Sequence, residues 1–511
     1  MTVTSGLVLA LVGLPVLLPV LAAGLSLVVA PHSTRQRVLT GAVLTLVLAD
    51  AIALLVVVER DGPVVVRAGE WAPPLGIVLV ADLLAAMLLA IAVLVALAVL
   101  LFAVGQDSAD RSGALAIPFH PAYLVLVAGI ALAFLSGDLF NLFVAFEMLL
   151  AASYVLITLN AGEPRVRAGM TYVMTSLTSS LLFLTAIGLV YAATGTVNLA
   201  DLADQVPRLE PGLRTALSLL LLVVFGIKAA VVPLHFWLPD SYPSAPAPIT
   251  AVFAALLTKV GIYAMVRTQT LLFPRDDTWW VGAALAVATM LLGILGAIAQ
   301  DDINRLLSFT LVSHVGFMVF GLALFDVAGL TGTILYIVHH ITVQATLFLV
   351  AGLVVDAAGT PELSRMERGE RERPLPAATG VLFLLGALSL AGVPPFSGFI
   401  AKFALLRAAV AHGGTAAYLL AAAALVTSLL TLYAMVRVWR GAFAPPGPPK
   451  VPLGRRLGTP RLAVAATLGM AATGVLLALG AGPLSDLSER AAAGLVRLDT
   501  YRDAVLGGGA P

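Results

Sequence analysis

Three lysines lie inside long apolar segments of a chain that uses arginine for nearly all its other basic positions. The 29 lysines and arginines include only four lysines, and Lys228, Lys259 and Lys402 fall within apolar runs. Arginine stays charged in proteins, whereas a lysine buried away from water can lose its proton near neutral pH. The placement of these amines therefore predicts a relay that takes up and releases protons.

Glu147 is the one acid near the middle of its apolar segment, DLFNLFVAFEMLLAASYVLITL. A charged side chain at the centre of a membrane helix opposes insertion by about 2.5–3.5 kcal/mol, so it needs a partner. We expect Glu147 to contact Lys228, because pairing lowers the desolvation cost of both groups. The alternative for a membrane lysine is to snorkel to the interface, which does not suit Lys228 and Lys259 because they lie deep within their segments.

Histidines and hydroxyls form a second set of polar groups within apolar segments. His339 and His340 are adjacent and point about 100° apart on a helix, so one face cannot present both to an ion. We expect His340 to face the relay, while His339, His314 and His235 are secondary candidates. The alternative is a buried histidine satisfied by hydrogen bonds. The hydroxyls of TYVMTSLTSSLLF could support water wires, although such groups also bond to their own helix.

Two apolar segments are interrupted by proline close to a lysine. Pro233 stands in VVFGIKAAVVPLHFW, and Pro394 and Pro395 stand in LSLAGVPPFSGFIAKFALLR. Proline removes a backbone donor and clashes with the preceding turn, so both helices should break there. Unwound backbone at membrane depth is tolerated only inside protein or beside a water-filled cavity. The breaks are therefore predicted to let water reach Lys228 and Lys402.

Composition places the whole chain in a membrane. Of the 511 residues 60% are hydrophobic and 11% charged, the mean hydropathy is +1.03 and the formal net charge is +1. These values exclude a soluble globular protein and give no global field to attract nucleic acid. The absence of cysteine excludes disulfides and thiolate-held clusters, which argues against electron transfer within the chain. Neither a cofactor nor a metal site is expected.

Fourteen apolar runs are long enough to cross a bilayer, and we expect an all-α integral membrane protein. The first run is interpreted as a retained span, since it lacks a basic leader region and is longer than a signal-peptide core. The predicted spans are 7–29, 36–58, 76–104, 118–137, 138–159, 168–194, 213–237, 246–266, 278–299, 303–325, 330–355, 375–411, 415–440 and 460–482.

The two proline breaks lie five spans apart, which predicts two inverted five-helix repeats, each with a broken fourth helix. We expect an N-terminal three-helix segment at 1–115, a first repeat at 116–267 containing spans 4–8, and a second repeat at 276–441 containing spans 9–13. The remaining 442–511 should hold the last span and an amphipathic tail, which could lie at the membrane surface or against a partner subunit.

The loop charges predict the orientation in the cell membrane. Basic residues outside the spans are more frequent on one side, which should be cytoplasmic, so both termini are predicted outside. The residues that mark this side are Arg165, Arg167, Arg365, Arg368, Arg371, Arg373, Arg455 and Arg456. The acids Asp50 and Asp82, in the N-terminal helices, are expected to be solvated at the membrane interface.

One long motif resembles a known family. The run GIKAAVVPLHFWLPDSYPSAPAPITAVFAALLTKVGIY resembles the signature of the antiporter-like subunits of respiratory complex I, membrane-bound hydrogenases and multi-subunit Mrp-type cation/proton antiporters. The resemblance extends over most of the chain, and four further segments also stand in family order: FNLFVAFEMLLAASYVLI, INRLLSFTLVSHVGFMVFG, HHITVQATLFLVAG and GVPPFSGFIAKFALL. NLFVAFEMLLAASY, the HH pair and YRDAVLG are most similar to the D-type subunits of Mrp antiporters.

The resemblance implies fourteen helices, a large hetero-oligomer and a central hydrophilic axis. Its charged residues would be Glu147, Lys228, Lys259 and Lys402, with His340 joining them. Gln344 departs from the family pattern, since the D-type subunits often have lysine there.

These features predict a proton-translocating subunit of a multi-subunit Na⁺/H⁺ antiporter, a secondary transporter and not an enzyme. Its partners would be other subunits of the complex, the lipid bilayer, protons and Na⁺. The main alternative is a proton-pumping subunit of a redox-driven complex such as complex I or a hydrogenase. A quinone-dependent oxidoreductase acting by itself and a small-solute carrier fit the residues less well.

Overall fold

A computed structural model of the protein describes residues 3–28, 34–106, 119–158, 163–273, 279–370, 375–376, 378–443 and 461–507. The elements in chain order are α1 Val3–Val28, α2 Thr34–Asp61, β1 Val64–Arg67, β2 Val78–Ala81, α3 Leu83–Gly105, α4 Phe119–Leu135, α5 Leu139–Thr158, α6 Glu163–Thr194, α7 Leu199–Gln205, α8 Pro211–Ala229, α9 Leu238–Ser241, α10 Ala247–Val252, α11 Thr258–Leu271, α12 Trp279–Ile298, α13 Ile303–Leu324, α14 Val327–Ala358, α15 Leu363–Glu367, α16 Thr379–Ala391, α17 Ser397–His412, α18 Thr415–Phe443, α19 Arg461–Leu479, α20 Ala481–Val496 and α21 Leu498–Leu506.

The described helices confirm the all-α membrane fold with about fourteen spans. Twelve spans are long and apolar enough to cross a bilayer, one of them joining α10 and α11 through a π-helical turn. Two shorter apolar helices, α4 and α16, bring the number to fourteen, with α17 continuing the span that α16 begins. The turn that divides the fourth span from the fifth lies at 136–138, as predicted.

A two-stranded antiparallel hairpin between α2 and α3 was not predicted. Valine-rich β1 and β2 pair with Val64 opposite Ala81, and the β-branched side chains favour this extended pairing. The hairpin lies on the turn between α4 and α5, where the Gly137 N–H donates to the Val78 carbonyl at 2.8 Å. A Cβ at Gly137 would lie 2.8 Å from the same carbonyl oxygen, so this close approach requires glycine.

Two ends of the helix bundle are defined by different surface elements. The hairpin end carries β1–β2, α7, α20 and α21, and there Arg490 pairs with Glu59 at 2.6 Å. The basic end carries α15 with Arg365 and Arg368, and there Arg440 of α18 pairs with Glu367 at 2.8 Å. The C-terminal tail packs on its own chain, with α20 against α14 and α3 and α21 against α7.

The orientation of these ends relative to the cytoplasm stays a prediction. Arg371, Arg373, Arg455 and Arg456, four of the residues on which it rests, lie outside the described residues, as does the side chain of Arg165.

A short backbone ladder of two hydrogen bonds occurs at each end of the bundle. At the hairpin end the Leu139 N–H donates to the Val197 carbonyl at 2.9 Å, and the Leu199 N–H to the Gly137 carbonyl at 3.0 Å. At the basic end the Ile303 N–H donates to the Pro361 carbonyl at 3.0 Å, and the Leu363 N–H to the Asp301 carbonyl at 2.8 Å.

Each ladder joins the turn between two long helices to the start of a short surface helix that precedes a broken span. The same device at opposite ends is what two inverted repeats would produce. The repeat symmetry and the domain boundaries nevertheless stay predictions.

Helices α12 and α13 approach closely through glycine. A Cβ at Gly293 would lie 2.5 Å from the Ser313 nitrogen, and one at Gly316 would lie 2.7 Å from the Met290 nitrogen. The Ser313 hydroxyl donates to the Met290 carbonyl at 2.7 Å across this contact. Small residues that let membrane helices approach are a usual means of association in lipid, where the hydrophobic effect does not drive helices together.

Gly293→Ala should therefore lower the thermal stability of the assembled protein in detergent. The added methyl group meets the backbone of α13, which has to shift, and such overpacking typically costs about 1–3 kcal/mol. Gly188→Ala on α6 is the matched control, because a Cβ there meets nothing within 4 Å. Equal melting temperatures for the two variants would contradict the proposed close contact.

Candidate functional site

The first helix break lies between α8 and α9. Helix α8 ends at Ala229, Ala230 adopts a left-handed conformation with φ 59°, and Pro233 follows before α9 begins. Other helices satisfy the freed backbone groups, since the Val232 N–H donates to the Thr289 hydroxyl of α12 at 3.1 Å. The Trp237 indole within the break donates to the Ile227 carbonyl at 3.0 Å. The interruption is thus held in a defined shape.

Lys228 and Glu147 meet through a hydroxyl. The Lys228 Nζ atom, in the last turn of α8, lies 3.4 Å from the Ser180 Oγ atom and 4.6 Å from the centre of the Phe146 ring. The Ser180 hydroxyl donates to Glu147 Oε1. The expected pairing thus takes an indirect form: the two groups share the Ser180 hydroxyl, and none of the ion pairs among the described residues joins them directly. Helix α6 packs against both α5 and α8, which places Ser180 between them.

A cavity beside this group opens between α5, α6 and α8. Its lining includes Lys228, Tyr172, Ser176, Ser179 and Trp237. Three of these side chains carry hydroxyl groups, so the cavity has polar partners for water. Part of the hydroxyl-rich stretch of α6 therefore lines the cavity beside the amine, whereas Thr178 donates to the Met174 carbonyl of its own helix, so both alternatives occur.

Lys259 lies next along the chain and is fully buried. Its Nζ donates at 2.6 Å to the carbonyl of Ala254, which lies in the π-helical turn Phe253–Leu257. A π-helical turn displaces the usual backbone bonds and frequently marks functional sites. A Cβ at Gly261 would lie 2.7 Å from the Ala229 nitrogen, so glycine lets α11 lie directly against the end of α8 that carries Lys228.

The second break lies between α16 and α17, where the chain passes through Pro394 and Pro395. The Lys402 Nζ atom reaches back to the end of α16 and donates to the Leu390 and Ala391 carbonyls at 2.9 and 3.0 Å. It also lies 4.8 Å from the centre of the Phe317 ring. An ammonium at a helix C-terminus is favourable because the last carbonyls lack partners and carry partial negative charge.

The two adjacent histidines point to different elements. The His340 ring stacks on that of His314 with 5.4 Å between centroids, whereas His339 Nδ1 lies 2.9 Å from the Ser397 hydroxyl at the second break. Neither ring nitrogen of His340 has a hydrogen-bond partner among the described residues. His314 has two, the Tyr336 hydroxyl at 2.7 Å and the Thr431 hydroxyl at 3.2 Å.

Two further positions flank this centre. His235 lies in the first break with its ring 6.3 Å from that of Phe309. Gln344, one turn after His340, donates to the Leu307 carbonyl at 3.1 Å.

The predicted site residues fall into two groups along the chain. Glu147, Lys228 and Lys259 belong to its first half, and His314, His340 and Lys402 belong to its second half. Within the described residues, no three His, Asp or Glu side chains form a group that could hold a metal ion.

Sequence reasoning missed one charged group. Arg267 of α11 is buried and forms a bidentate ion pair with Asp82. The prediction that Asp82 is solvated at the membrane interface is therefore wrong. Asp50 was also expected to be solvated, but it is 9% exposed and neither carboxylate oxygen has a hydrogen-bond partner in the described residues. The signal for Arg267 was present, since it stands two helical turns after Lys259 on the same face.

Comparisons with known proteins agree on one family. The family model described as NADH:quinone oxidoreductase/Mrp antiporter, TM, matches residues 136–431. A protein from Alkalihalophilus pseudofirmus, named as the D component of a Na(+)/H(+) antiporter, is 43% identical over 436 residues, covering 85% of this chain and 87% of that one.

Solved structures agree in fold. A chain in the structure of the Mrp complex from Dietzia sp. DQ12-45-1b superposes with a TM-score of 0.89 at 35% identity, covering 99% of this chain and 100% of that one. A chain of the membrane-bound sulfane sulfur reductase, an archaeal respiratory membrane complex, gives a TM-score of 0.85 at 25% identity, covering 98% and 100%. The chain therefore belongs to the NADH:quinone oxidoreductase/Mrp antiporter family of membrane subunits.

Proposed function

We propose that this chain carries protons as a subunit of a multi-subunit Na⁺/H⁺ antiporter, and that it is a transporter subunit and not an enzyme. The relative from Alkalihalophilus pseudofirmus bears the name of such a subunit and matches over most of both chains. The likeness to a chain of an Mrp complex supports the same assignment.

The observation that carries the proposal is the bonding of the three buried amines. Among the residues that the structure describes, each lysine nitrogen donates only to uncharged oxygens: a hydroxyl for Lys228 and backbone carbonyls for Lys259 and Lys402. None of the three takes part in an ion pair among the described residues. A carboxylate in direct contact would hold each amine charged, whereas neutral partners leave its proton free to move. These bonding partners suit a relay better than a structural salt bridge.

The proposed route begins at Lys228, whose charge Glu147 adjusts through Ser180. The close approach of α11 to the end of α8 supports transfer from Lys228 to Lys259. From there the route passes the His340 and His314 rings and reaches Lys402 at the second break. His339 is hydrogen-bonded to Ser397, the first residue after the second break, and His235 lies in the first break; both are secondary candidates for the same relay.

The surface at the two breaks supports membership in a larger assembly. Pro233, Pro394 and Pro395 are exposed on the outer surface of this chain, and Phe236 beside the first break is 60% exposed. Irregular backbone is not found exposed to lipid within the hydrocarbon region. We therefore infer that neighbouring subunits cover both breaks. The proposed location is the cell membrane, with the basic end in the cytoplasm and both termini outside.

A second candidate function is proton pumping within a redox-driven complex. The likeness to a chain of an archaeal respiratory membrane complex favours it. The intramembrane residues would act in the same way, so the partners decide between the two. Purification of the native complex with flavin or iron–sulfur subunits would establish this alternative.

Lys228→Ala and Glu147→Ala should both abolish Na⁺-dependent collapse of a pH gradient. The first removes the amine and the second removes the carboxylate that Ser180 links to it. The measurement uses inverted vesicles that contain the whole complex. Assembly, checked by size-exclusion chromatography, should survive in both variants. The matched controls are Arg440→Ala and Glu367→Ala, which remove exposed charges at the basic end. Full activity in the Lys228 variant would refute the proposed relay.

Ser180→Ala should slow antiport by about tenfold or more, since a positioned proton-transfer group typically contributes 10²–10⁴-fold. The substitution removes the hydroxyl that joins the amine to the carboxylate. Ser308→Ala is the matched control, because that buried hydroxyl donates to the carbonyl of Asn304 in its own helix at 2.8 Å. Initial rates in the same vesicles test this, and equal rates for the two variants would exclude a role for Ser180.

A further inference from the structure

Arg267 and Asp82 form an ion pair near the hairpin end that the proposed route does not use. Arg267 Nη1 lies 2.6 Å from Asp82 Oδ2, and Nη2 lies 2.8 Å from Oδ1. The side chains are 4% and 18% exposed. Asp82 also caps α3, because its Oδ1 accepts the Ala85 N–H at 2.9 Å. Both carboxylate oxygens are therefore occupied by donors of this chain.

The C-terminal tail covers this pair. The Arg267 guanidinium lies between two aromatic rings, 5.3 Å from the centre of Tyr263 and 5.2 Å from the centre of Tyr501 in α21. Helix α21 is held in place at two points, by Arg67 donating to the Val505 carbonyl at 3.0 Å and by Arg502 paired with Asp204 at 3.4 Å. These contacts keep Tyr501 buried over the guanidinium.

The pair stands at the outer end of a polar line that starts at the relay. Lys259, Tyr263 and Arg267 follow at four-residue spacing along α11, so they lie on one face and span about 12 Å. All three are buried, and Arg267 Nη2 lies 3.3 Å from the Tyr263 hydroxyl oxygen. The line leads from Lys259 toward the hairpin end and not toward the second half of the chain.

The residues of this line are arranged to stop a proton. A guanidinium does not lose its proton in proteins, so Arg267 cannot pass one on. The guanidinium is the member of the pair that contacts Tyr263, so the pair presents its positive end to a proton that approaches along the line. Arginine excludes protons from other membrane pores in a similar way. The Tyr263 hydroxyl donates to the Phe134 carbonyl at 2.6 Å, which directs its proton away from the line.

The geometry points to the Arg267–Asp82 pair, covered by Tyr501, as an electrostatic barrier that closes the α11 line at the hairpin end. Protons on Lys259 then move sideways to the second half of the chain and do not leak out. This inference rests on the proposed role of Lys259 as a proton carrier. It makes Arg267 and Asp82 positioning residues that keep transport coupled.

The test is the passive proton leak of the whole complex in liposomes. Arg267→Gln with Asp82→Asn removes both charges together, because a single change would leave a buried charge unpaired. With a pH gradient imposed, no Na⁺ present and the membrane potential clamped by K⁺ and valinomycin, the gradient should decay about tenfold faster than with the native complex, as for a barrier lower by about 1.4 kcal/mol. Arg490→Gln with Glu59→Gln, an exposed pair at the same end, is the matched control and should leave the leak unchanged.

Adding Lys259→Met to the double variant should return the leak to the native rate. A native leak rate in the double variant, or a fast leak that persists with Lys259→Met, would overturn the barrier. If the double variant fails to assemble, Tyr501→Ala decides: it keeps the charges but uncovers them, and we expect about threefold faster decay because water screens the pair. An unchanged leak in that variant would overturn the barrier.

The same vesicles separate this inference from the proposed function. Lys259→Met alone in the native background should abolish antiport. If antiport survives in Lys259→Met, the proposed relay is wrong. If antiport is lost in Lys259→Met but the double variant leaks protons no faster than the native complex, the relay is supported and the barrier is wrong.

Discussion

The architecture depends on one constraint: within a bilayer, a freed backbone group or a buried charge is costly unless it has a partner inside the protein. In this chain the same hydrogen bonds provide partners for both freed carbonyl groups and buried amines. Lys402 donates to the two carbonyls at the end of α16, and Lys259 donates to a carbonyl of the π-helical turn. An interrupted helix supplies acceptors that a continuous helix would use internally, and a buried amine supplies the missing donor.

Carbonyl partners differ from carboxylates in what they permit. They stabilise the charged amine through dipoles, yet they leave no opposite charge behind when the proton departs. The carboxylate of Glu147 is kept one hydroxyl away from Lys228, so it acts on the amine at a distance. The ends of the two interrupted helices, α8 and α16, together with the π-helical turn and Ser180, hold three amines in apolar surroundings. None of these partners forces an amine to keep its proton.

Much of this was accessible from the sequence because the relevant signals are local. Hydropathy over about 20 residues defines a span, and Pro233, Pro394 and Pro395 act on their own helices, so the spans and interruptions could be predicted. The amines at positions 228, 259 and 402 were recognisable because charge within an apolar run is costly wherever the helix packs.

Features that depend on how distant segments meet could not be predicted in this way. Ser180 was one of several hydroxyls in its stretch, and only the packing of α6 against α5 and α8 selects it. The pairing of Asp82 with Arg267 joins residues 185 positions apart, so the local sequence around either residue does not identify the other as its partner. The valine hairpin was hidden because its strands are short and adjoin an apolar run.

The covering of Arg267 by Tyr501 has a consequence for how the protein is made. A ribosome delivers Asp82 early, Arg267 midway and α21 last, so the pair forms while its outer side is still open to water. The tail follows every described span in the chain, so it can cover the pair only after those spans have been synthesised. Burial of the Arg267 guanidinium by Tyr501 is therefore completed late in synthesis, after both members of the ion pair are present.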